Sequence, residues 1–370
     1  MSFSKSLIEC LTSILLQRRI GSNRSFTFLE ILVNSMMQVL DITPNRWQDS
    51  LKQAITDPKV LLERLSLPLE LLEQAQAASQ LFPLRVPLEF LNRMEPGNPN
   101  DPLLKQVLPI GDEFIQAPGF TEDPLNERDA RPTPGVVHKY KDRALLILSG
   151  ACAINCRYCF RRHFPYSDNQ LSGQHWQTAL AYLKEHTELR EVIFSGGDPL
   201  VTSDQRFTKM ITDLEAIPHL ERLRIHTRLP VVIPSRVTDQ LNQTLQASRF
   251  DCVVVLHINH ANEIDKSLHD AVTKLKQSGA TLLNQAVLLK GVNDSVEEQV
   301  SLSRALFRAG ILPYYLFMFD PVAGASHFDT PMDQGKKIFA RMQQELPGYL
   351  VPRLAKEISG KTSKTLLISS

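Results

Sequence analysis

The chain has 370 residues, 43% hydrophobic and 22% charged, and 41 Lys and Arg against 40 Asp and Glu leave a formal net charge of +1. That balance excludes a global field for nucleic acid or an anionic membrane, and the length suits one α/β barrel with additions. No stretch is long and apolar enough to span a bilayer, and three of the five cysteines fall within eight residues, which favours a reducing, cytoplasmic setting over a secreted disulfide framework.

Residues 1–43 read as an N-terminal extension. Arg18, Arg19 and Arg24 lie among apolar residues with few acids, as in a targeting peptide, but no apolar core followed by a small-residue cleavage site is evident. Met36 and Met37 precede ordinary domain sequence, so the extension reads as an over-long start with translation beginning near Met36; a helix over residues 26–40 is the alternative. Residues 44–136 read as a helical, wrapping region. Trp47, Leu51 and Ile55, then Leu61, Leu62 and Leu65, recur at helical spacing, and proline-rich connections follow at 95–102 and 131–135.

Between residues 137 and 330 the pattern changes. Short β-branched and apolar runs occupy 144–148, 191–194, 222–225, 252–256, 281–288 and 314–319. After the first, their starts lie roughly 30 residues apart, the repeat of βα units, which predicts a partial (β/α)6 barrel. A helix is expected over 295–307, opened by Ser295 and Glu298 at capping-box spacing and closed by Gly310 and Pro313. Residues 331–370 supply a C-terminal helix and a short lysine-bearing segment.

In α/β barrels the working groups sit where strands end. Here the runs lead into Cys152, Ser195-Gly196-Gly197-Asp198, His226 and Arg228, His257 and Asn259, and Asp320, while Asn284 and Gln285 fall inside the fifth run. Cys152, Cys156 and Cys159 form a C-x3-C-x2-C motif. Three thiolates can ligate three irons of a 4Fe-4S cluster and leave the fourth iron open, where S-adenosylmethionine can chelate and be cleaved reductively to a carbon radical. Structural zinc with His163 as fourth ligand is the rival, although zinc sites more often pair two C-x2-C units and no second pair exists. In Ser195-Gly196-Gly197-Asp198 the glycines permit close backbone approach to a ligand, and Asp198 can accept a hydrogen bond from an ammonium; a plain tight turn is the bland reading.

The cysteine spacing, with Tyr158 before the last cysteine, resembles the radical S-adenosylmethionine superfamily, in which the Gly-Gly-Asp-Pro segment holds the methionine amino group. More specifically, residues 156–164, 194–199 and 289–294, with 83–87, 93–98 and 257–263, resemble the lysine 2,3-aminomutase family over residues 46–366. The closest resemblance is to its short branch, which supplies (R)-β-lysine for modification of translation elongation factor P. The resemblance implies an isomerase that converts free L-α-lysine to (R)-β-lysine, with a separate lysine ligase acting afterwards and an external electron donor.

It also implies pyridoxal 5′-phosphate. Lys364, followed by Thr365, matches the cofactor-bearing lysine of the family; Lys361 also precedes a threonine. Lys139, Tyr140 and Arg143 match the phosphate-binding segment. Arg161 matches a clamp for the substrate carboxylate. Asp320 and Glu357 match two acids that meet the ε-ammonium, with glutamate at the second where aminomutases have aspartate; paired acids suit a cationic substrate. Ser195, Gly196, Gly197, Asp198, Asn284 and Gln285 are the remaining candidate cofactor contacts, with His226, Arg228, His257 and His260 as weaker ones. Cys10 and Cys252 read as structural thiols. Clostridial-type aminomutases continue into a zinc-binding cysteine extension. Only six residues follow Lys364, so the resemblance implies no structural zinc and a different or weaker homo-oligomer. The rival functions are an aminomutase for glutamate or arginine, and a non-enzymatic zinc protein.

Overall fold

Short, largely apolar strands alternating with amphipathic helices bury themselves best as a parallel sheet covered by its own crossovers. The computed structural model realises that solution; it describes residues 47–166, 171 and 173–367, so the expectations for residues 1–43 lie outside the described residues. A single sheet runs in chain order through β1 (Val136–Tyr140), β2 (Arg143–Ser149), β3 (Glu191–Gly196), β4 (Arg222–Thr227), β5 (Asp251–His257), β6 (Thr281–Val287), β7 (Leu312–Phe317), β8 (Arg353–Lys356) and β9 (Thr365–Leu366). Neighbours from β2 to β8 are parallel, whereas β1 on β2 and β9 on β8 are antiparallel. The sheet stays open between β1 and β9, as a partial barrel requires.

The six expected runs appear as β2 to β7. Beyond them β8 adds another parallel strand, with β1 and β9 as the edges. Six helices follow β2 to β7 in turn: α1 (Gln174–Glu185), α2 (Asp204–Glu215), α3 (Asp239–Ala247), α4 (Lys266–Gln277), α5 (Val296–Ala309) and α6 (Met332–Glu345). Each turns one stripe inward; α4 buries Leu268, Ala271, Val272 and Leu275, the i, i+3, i+4, i+7 pattern. Side chains of Ser203, Thr238, Asp265 and Ser295 cap α2 to α5 by accepting a backbone N–H of the first turn. Gly310 ends α5 in the left-handed region at φ 84°.

Short helices at Trp47–Lys52, Pro58–Arg64 and Leu72–Leu81 precede the sheet, and they have no core of their own. Their Leu61 and Leu62, with Phe90 and Leu103, are fully buried in the same apolar cluster as Leu146, Phe194, Ile225 and Leu256 of the strands. Arg157, from the cysteine loop, is also fully buried. It donates to Phe82 O at 2.6 Å and pairs with buried Glu113, to which Arg162 donates at 2.7 Å. The N-terminal region therefore braces the loop that carries the cysteines.

Two glycines fix that loop from the other side. Gly197 N donates to Ser149 O at 2.7 Å and Asp198 N to Ala151 O at 2.9 Å, which ties the end of β3 to the residues leading into Cys152. A Cβ on Gly197 would lie 2.5 Å from Ala151 O; one on Gly196, whose φ is +122°, would lie 2.5 Å from Ser149 O. The pair thus serves a backbone-to-backbone approach that no larger residue permits. Gly197→Ala is expected to cost about 2–3 kcal/mol, because the obstacle is backbone and cannot rotate away. Gly348→Ala, which meets nothing within 4 Å, is the control, expected within about 0.5 kcal/mol. Urea unfolding of the two variants measures the difference.

Candidate active site

Two cavities lie inside the open barrel, the smaller at the C-terminal strand ends and the larger along the lumen-facing side chains of the strands. The larger, about 680 Å³, is lined by Lys139, Tyr140, Arg143, Tyr315, Phe317, Glu357 and Lys364, among others. The smaller, about 160 Å³, is lined by Cys152, Cys156, Cys159, Gly196, Gly197 and Arg228, among others. Phe160, Arg161, Ser195, His226, His257, Gln285, Val287 and Asp320 border both, so the two share one wall.

The three thiols are half-buried around the smaller cavity. Burial raises the Cys152 thiol well above its ordinary pKa, reinforced by Cys159 and Asp198, and pushes Cys159 up to about 11. Free thiols at Cys152 and Cys159 resist ionisation, and a cationic partner such as iron would make their thiolates stable. His163 does not join them: its Nε2 is 3.1 Å from Ala323 O, and it lies outside the cysteine cavity. Among the described residues no three His, Cys, Asp or Glu converge so as to hold one metal ion. Thiols that each take a different iron need no such convergence. The donor set therefore fits a cluster with three cysteine ligands.

Asp198 plays a more structural part than the sequence suggests. Its carboxylate accepts Thr227 Oγ1 at 2.7 Å, and backbone N–H groups of Arg228 at 2.8 Å, Leu229 at 2.9 Å and Leu200 at 3.0 Å. These bonds lock the end of β3 to the end of β4 and absorb the capacity expected to be free for a ligand ammonium. Burial raises its pKa, and the hydrogen bonds oppose that shift.

In the larger cavity Lys364 is half-buried and Lys361 exposed. Lys364 Nζ donates to Glu357 Oε2 at 2.8 Å and sits 5.5 Å from the ring centres of Tyr140 and Phe317. Pairing of β8 with β9 sets Lys356 opposite Thr365, which brings Glu357 and Lys364 together. Tyr140 donates its hydroxyl to Glu357 at 3.1 Å, and Lys139 Nζ lies 3.8 Å from the same carboxylate. Burial works against the Glu357 charge, but Lys364, Lys139 and Tyr140 outweigh it and hold its pKa below the ordinary value. The Arg143 guanidinium stacks 4.2 Å from the Tyr140 ring centre. The half-buried Lys364 amine, the Lys139 and Arg143 cations and the aromatic walls fit a phosphorylated aromatic aldehyde such as pyridoxal phosphate.

Arg161 is not an unoccupied fork. Its Nε and Nη2 donate to the two oxygens of Glu127 at 2.6 and 2.7 Å, and Nη1 donates to Ser195 Oγ at 3.2 Å. Burial disfavours its charge, and Glu127 more than offsets this, raising its pKa. Only the Nη1 edge remains for a substrate carboxylate. Glu127, 5% exposed, was not among the residues expected from sequence: it lies in an irregular polar segment and meets Arg161 only through the fold.

Asp320 makes no side-chain hydrogen bond or ion pair among the described residues, and burial, reinforced by Glu357, raises its pKa to about 7. His226 and His257 also line both cavities, and burial holds both below the ordinary value, His257 at about 3. Buried His226 Nε2 has no partner, while Gln285 Nε2 bonds His257 Nε2 at 2.9 Å. Asn284 needs correction as a cofactor contact. Adjacent strand residues point to opposite faces, and Asn284 turns from both cavities to bond Ile258 through its Oδ1 at 2.9 Å and Nδ2 at 3.0 Å. His260 caps the turn Ala261–Glu263 and lines neither cavity, and Cys252 is buried in β5, its sulfur 4.0 Å from Leu245 O.

The family described as Radical SAM superfamily matches residues 146–301. L-lysine 2,3-aminomutase of Escherichia coli is 52% identical over 328 residues, covering 88% of this chain and 96% of that protein. The enzyme of that name from Haemophilus influenzae is also 52% identical, over 86% and 95% of the two chains. The one from Clostridium subterminale is 35% identical, over 88% of this chain and 79% of that protein.

The Asp320 carboxyl, raised to about 7 in the folded state against an ordinary 3.8, binds a proton that the unfolded chain releases between those values. Stability of the cofactor-free protein through this group is therefore full below pH 4 and falls as pH rises towards 7. His226 and His257, which resist protonation when folded, oppose that slope, and comparison with a variant cancels them. Asp320→Asn is expected to stabilise the cofactor-free protein by about 1–3 kcal/mol at pH 8 and by much less at pH 5, read by urea unfolding.

Proposed function

The chain belongs to the lysine 2,3-aminomutase family of radical S-adenosylmethionine enzymes, and from that premise we propose that it converts free L-α-lysine to (R)-β-lysine. The observation that carries the reading is the shared wall: a cavity bearing three thiols opens beside one bearing Lys364 with Glu357, the acid Asp320, and the cations Lys139 and Arg143. When bound, the cluster with S-adenosylmethionine supplies a hydrogen-abstracting radical, and pyridoxal phosphate supplies a ring on which an amino group can migrate.

Cys152, Cys156 and Cys159 would hold the cluster. The Ser195–Gly197 backbone, His226, His257 and Gln285 would border S-adenosylmethionine. Lys364 would hold pyridoxal phosphate covalently, with Lys139 and Arg143 at its phosphate and Tyr140 beside its ring. The acids suit a lysine side chain in a particular way. Glu357 now answers the Lys364 ammonium at 2.8 Å; once Lys364 carries the cofactor, that charge no longer serves Glu357. The substrate ε-ammonium would replace it, between Glu357 and the unpartnered Asp320, which would then ionise. A buried ammonium needs such a pair, and a carboxylate side chain at that place would be repelled. The Nη1 edge of Arg161 would meet the α-carboxylate. Lysine within a protein has no free α-carboxylate for this clamp, which favours the free amino acid. Packing of Phe160, Val287 and Phe317 around the shared wall limits water, which would otherwise compete for a radical.

We place the product before attachment to translation elongation factor P by a separate ligase, on the resemblance to that branch, with an external electron donor.

The test is an anaerobic assay of reconstituted protein with pyridoxal phosphate, S-adenosylmethionine, a strong reductant and a panel of L-lysine, L-glutamate and L-arginine, with chiral product analysis. (R)-β-lysine from lysine alone is expected; β-glutamate or β-arginine would reassign the substrate. Lys364→Ala is expected to abolish turnover and the visible absorption of protein-bound pyridoxal phosphate while retaining the cluster. Lys361→Ala should retain all three, and the reverse result would exchange the two lysines.

A further inference from the structure

Arg228 follows β4 and is 5% exposed. Its Nη1 donates to Cys156 Sγ and to Tyr158 Oη, each at 2.7 Å. Its Nη2 donates to Gln106 Oε1 at 2.6 Å and Glu263 Oε2 at 2.9 Å. The rings of Phe90 and Tyr158 flank the guanidinium, their centres 5.3 and 5.6 Å from its central carbon. Glu263 is fixed in turn: it is fully buried, and its Oε1 accepts Asn259 N at 2.9 Å and His260 N at 3.1 Å. The guanidinium is thus gripped on one edge and stacked on its faces, with the other edge presented to a cysteine sulfur. None of these contacts is used by the reaction proposed above.

A buried cation costs several kcal/mol to desolvate, and one carboxylate in this pocket answers it. The second anion within reach is the Cys156 sulfur once it is a thiolate. A charge-assisted hydrogen bond to a thiolate withdraws electron density from the metal it ligates and favours the more negative, reduced state. We propose that Arg228 is a positioning residue of the cluster: through its bond to the Cys156 sulfur it raises the cluster's reduction potential, so that a biological donor can deliver the electron. The proposal rests on the radical reading. It adds that, among the described residues, the sulfur of Cys156 alone of the three receives a side-chain donor.

The test uses reconstituted holoenzyme labelled with guanidino-¹⁵N arginine, reduced and studied by pulsed EPR. A ¹⁵N hyperfine coupling is expected in the wild type and should disappear in Arg228→Lys, which keeps the charge but cannot span Glu263 and the sulfur together. In EPR-monitored redox titrations the midpoint should fall in Arg228→Lys. It should rise in Glu263→Gln, which keeps the donor and removes its counter-charge. If both variants hold four irons and titrate with the wild-type midpoint, the proposal is overturned, and the radical reading stands. Should Arg228→Lys fail to assemble a cluster, the wild-type ¹⁵N coupling and the Glu263→Gln shift decide, and absence of both overturns it. A wild-type protein that binds no four-iron cluster would instead remove the radical reading, and this proposal with it.

Discussion

One carboxylate gathers the working parts of the site. Asp198 receives hydrogen bonds from Leu200, Thr227, Arg228 and Leu229, while its own N–H reaches Ala151. The ends of β2, β3 and β4, which lie far apart in the chain, are thereby held at one point. The cysteine loop departs from the first of these ends, the double glycine sits on the second, and Arg228 follows the third. The hydrogen bonds offset part of the desolvation of this buried carboxylate, whose pKa burial nonetheless raises. The double glycine, the start of the cysteine loop and the backbone of Arg228 take their positions from that anchor.

The larger cavity follows a different rule. Among the described residues its carboxylates each meet a cation, Glu357 with Lys364, Glu127 with Arg161 and Glu191 with Arg224, except for Asp320. A lone acid is expensive in such a place and takes up a proton unless a cation arrives. The barrel thus holds one pair that an incoming cofactor would break and one acid that an incoming ammonium would complete. Recognition of a doubly charged amino acid then follows from the order in which these vacancies are filled.

Much of this was legible in the sequence, for identifiable reasons. Strands β2 to β7 have apolar runs long enough to show a period, and the cysteines and glycines are contiguous, so their chemistry is local. What escaped depends on distance in the chain. β8 is four residues with a basic residue at each end, and β9 only two residues. Glu127 meets Arg161 across 34 residues, and Gln106 meets Arg228 across 122; no periodicity announces such pairs. Asn284 and Gln285 are adjacent and chemically alike, and only the strand's alternation decides which one faces the lumen. Lys361 and Lys364 both precede threonine, and it took the β8–β9 hairpin to set one of them against Glu357.

That hairpin has a bearing on how the protein matures. Lys364 comes after every parallel strand in the chain, and it faces Glu357 only because β9 pairs with β8, itself the last strand to join the parallel set. A half-folded polypeptide, or one still missing its final strands, therefore has no amine poised in the lumen and offers a reactive aldehyde nothing better than any surface lysine. Under the role proposed for Lys364, cofactor capture would act as a checkpoint on assembly, the reactive group being taken up only when the walls that must contain it already stand.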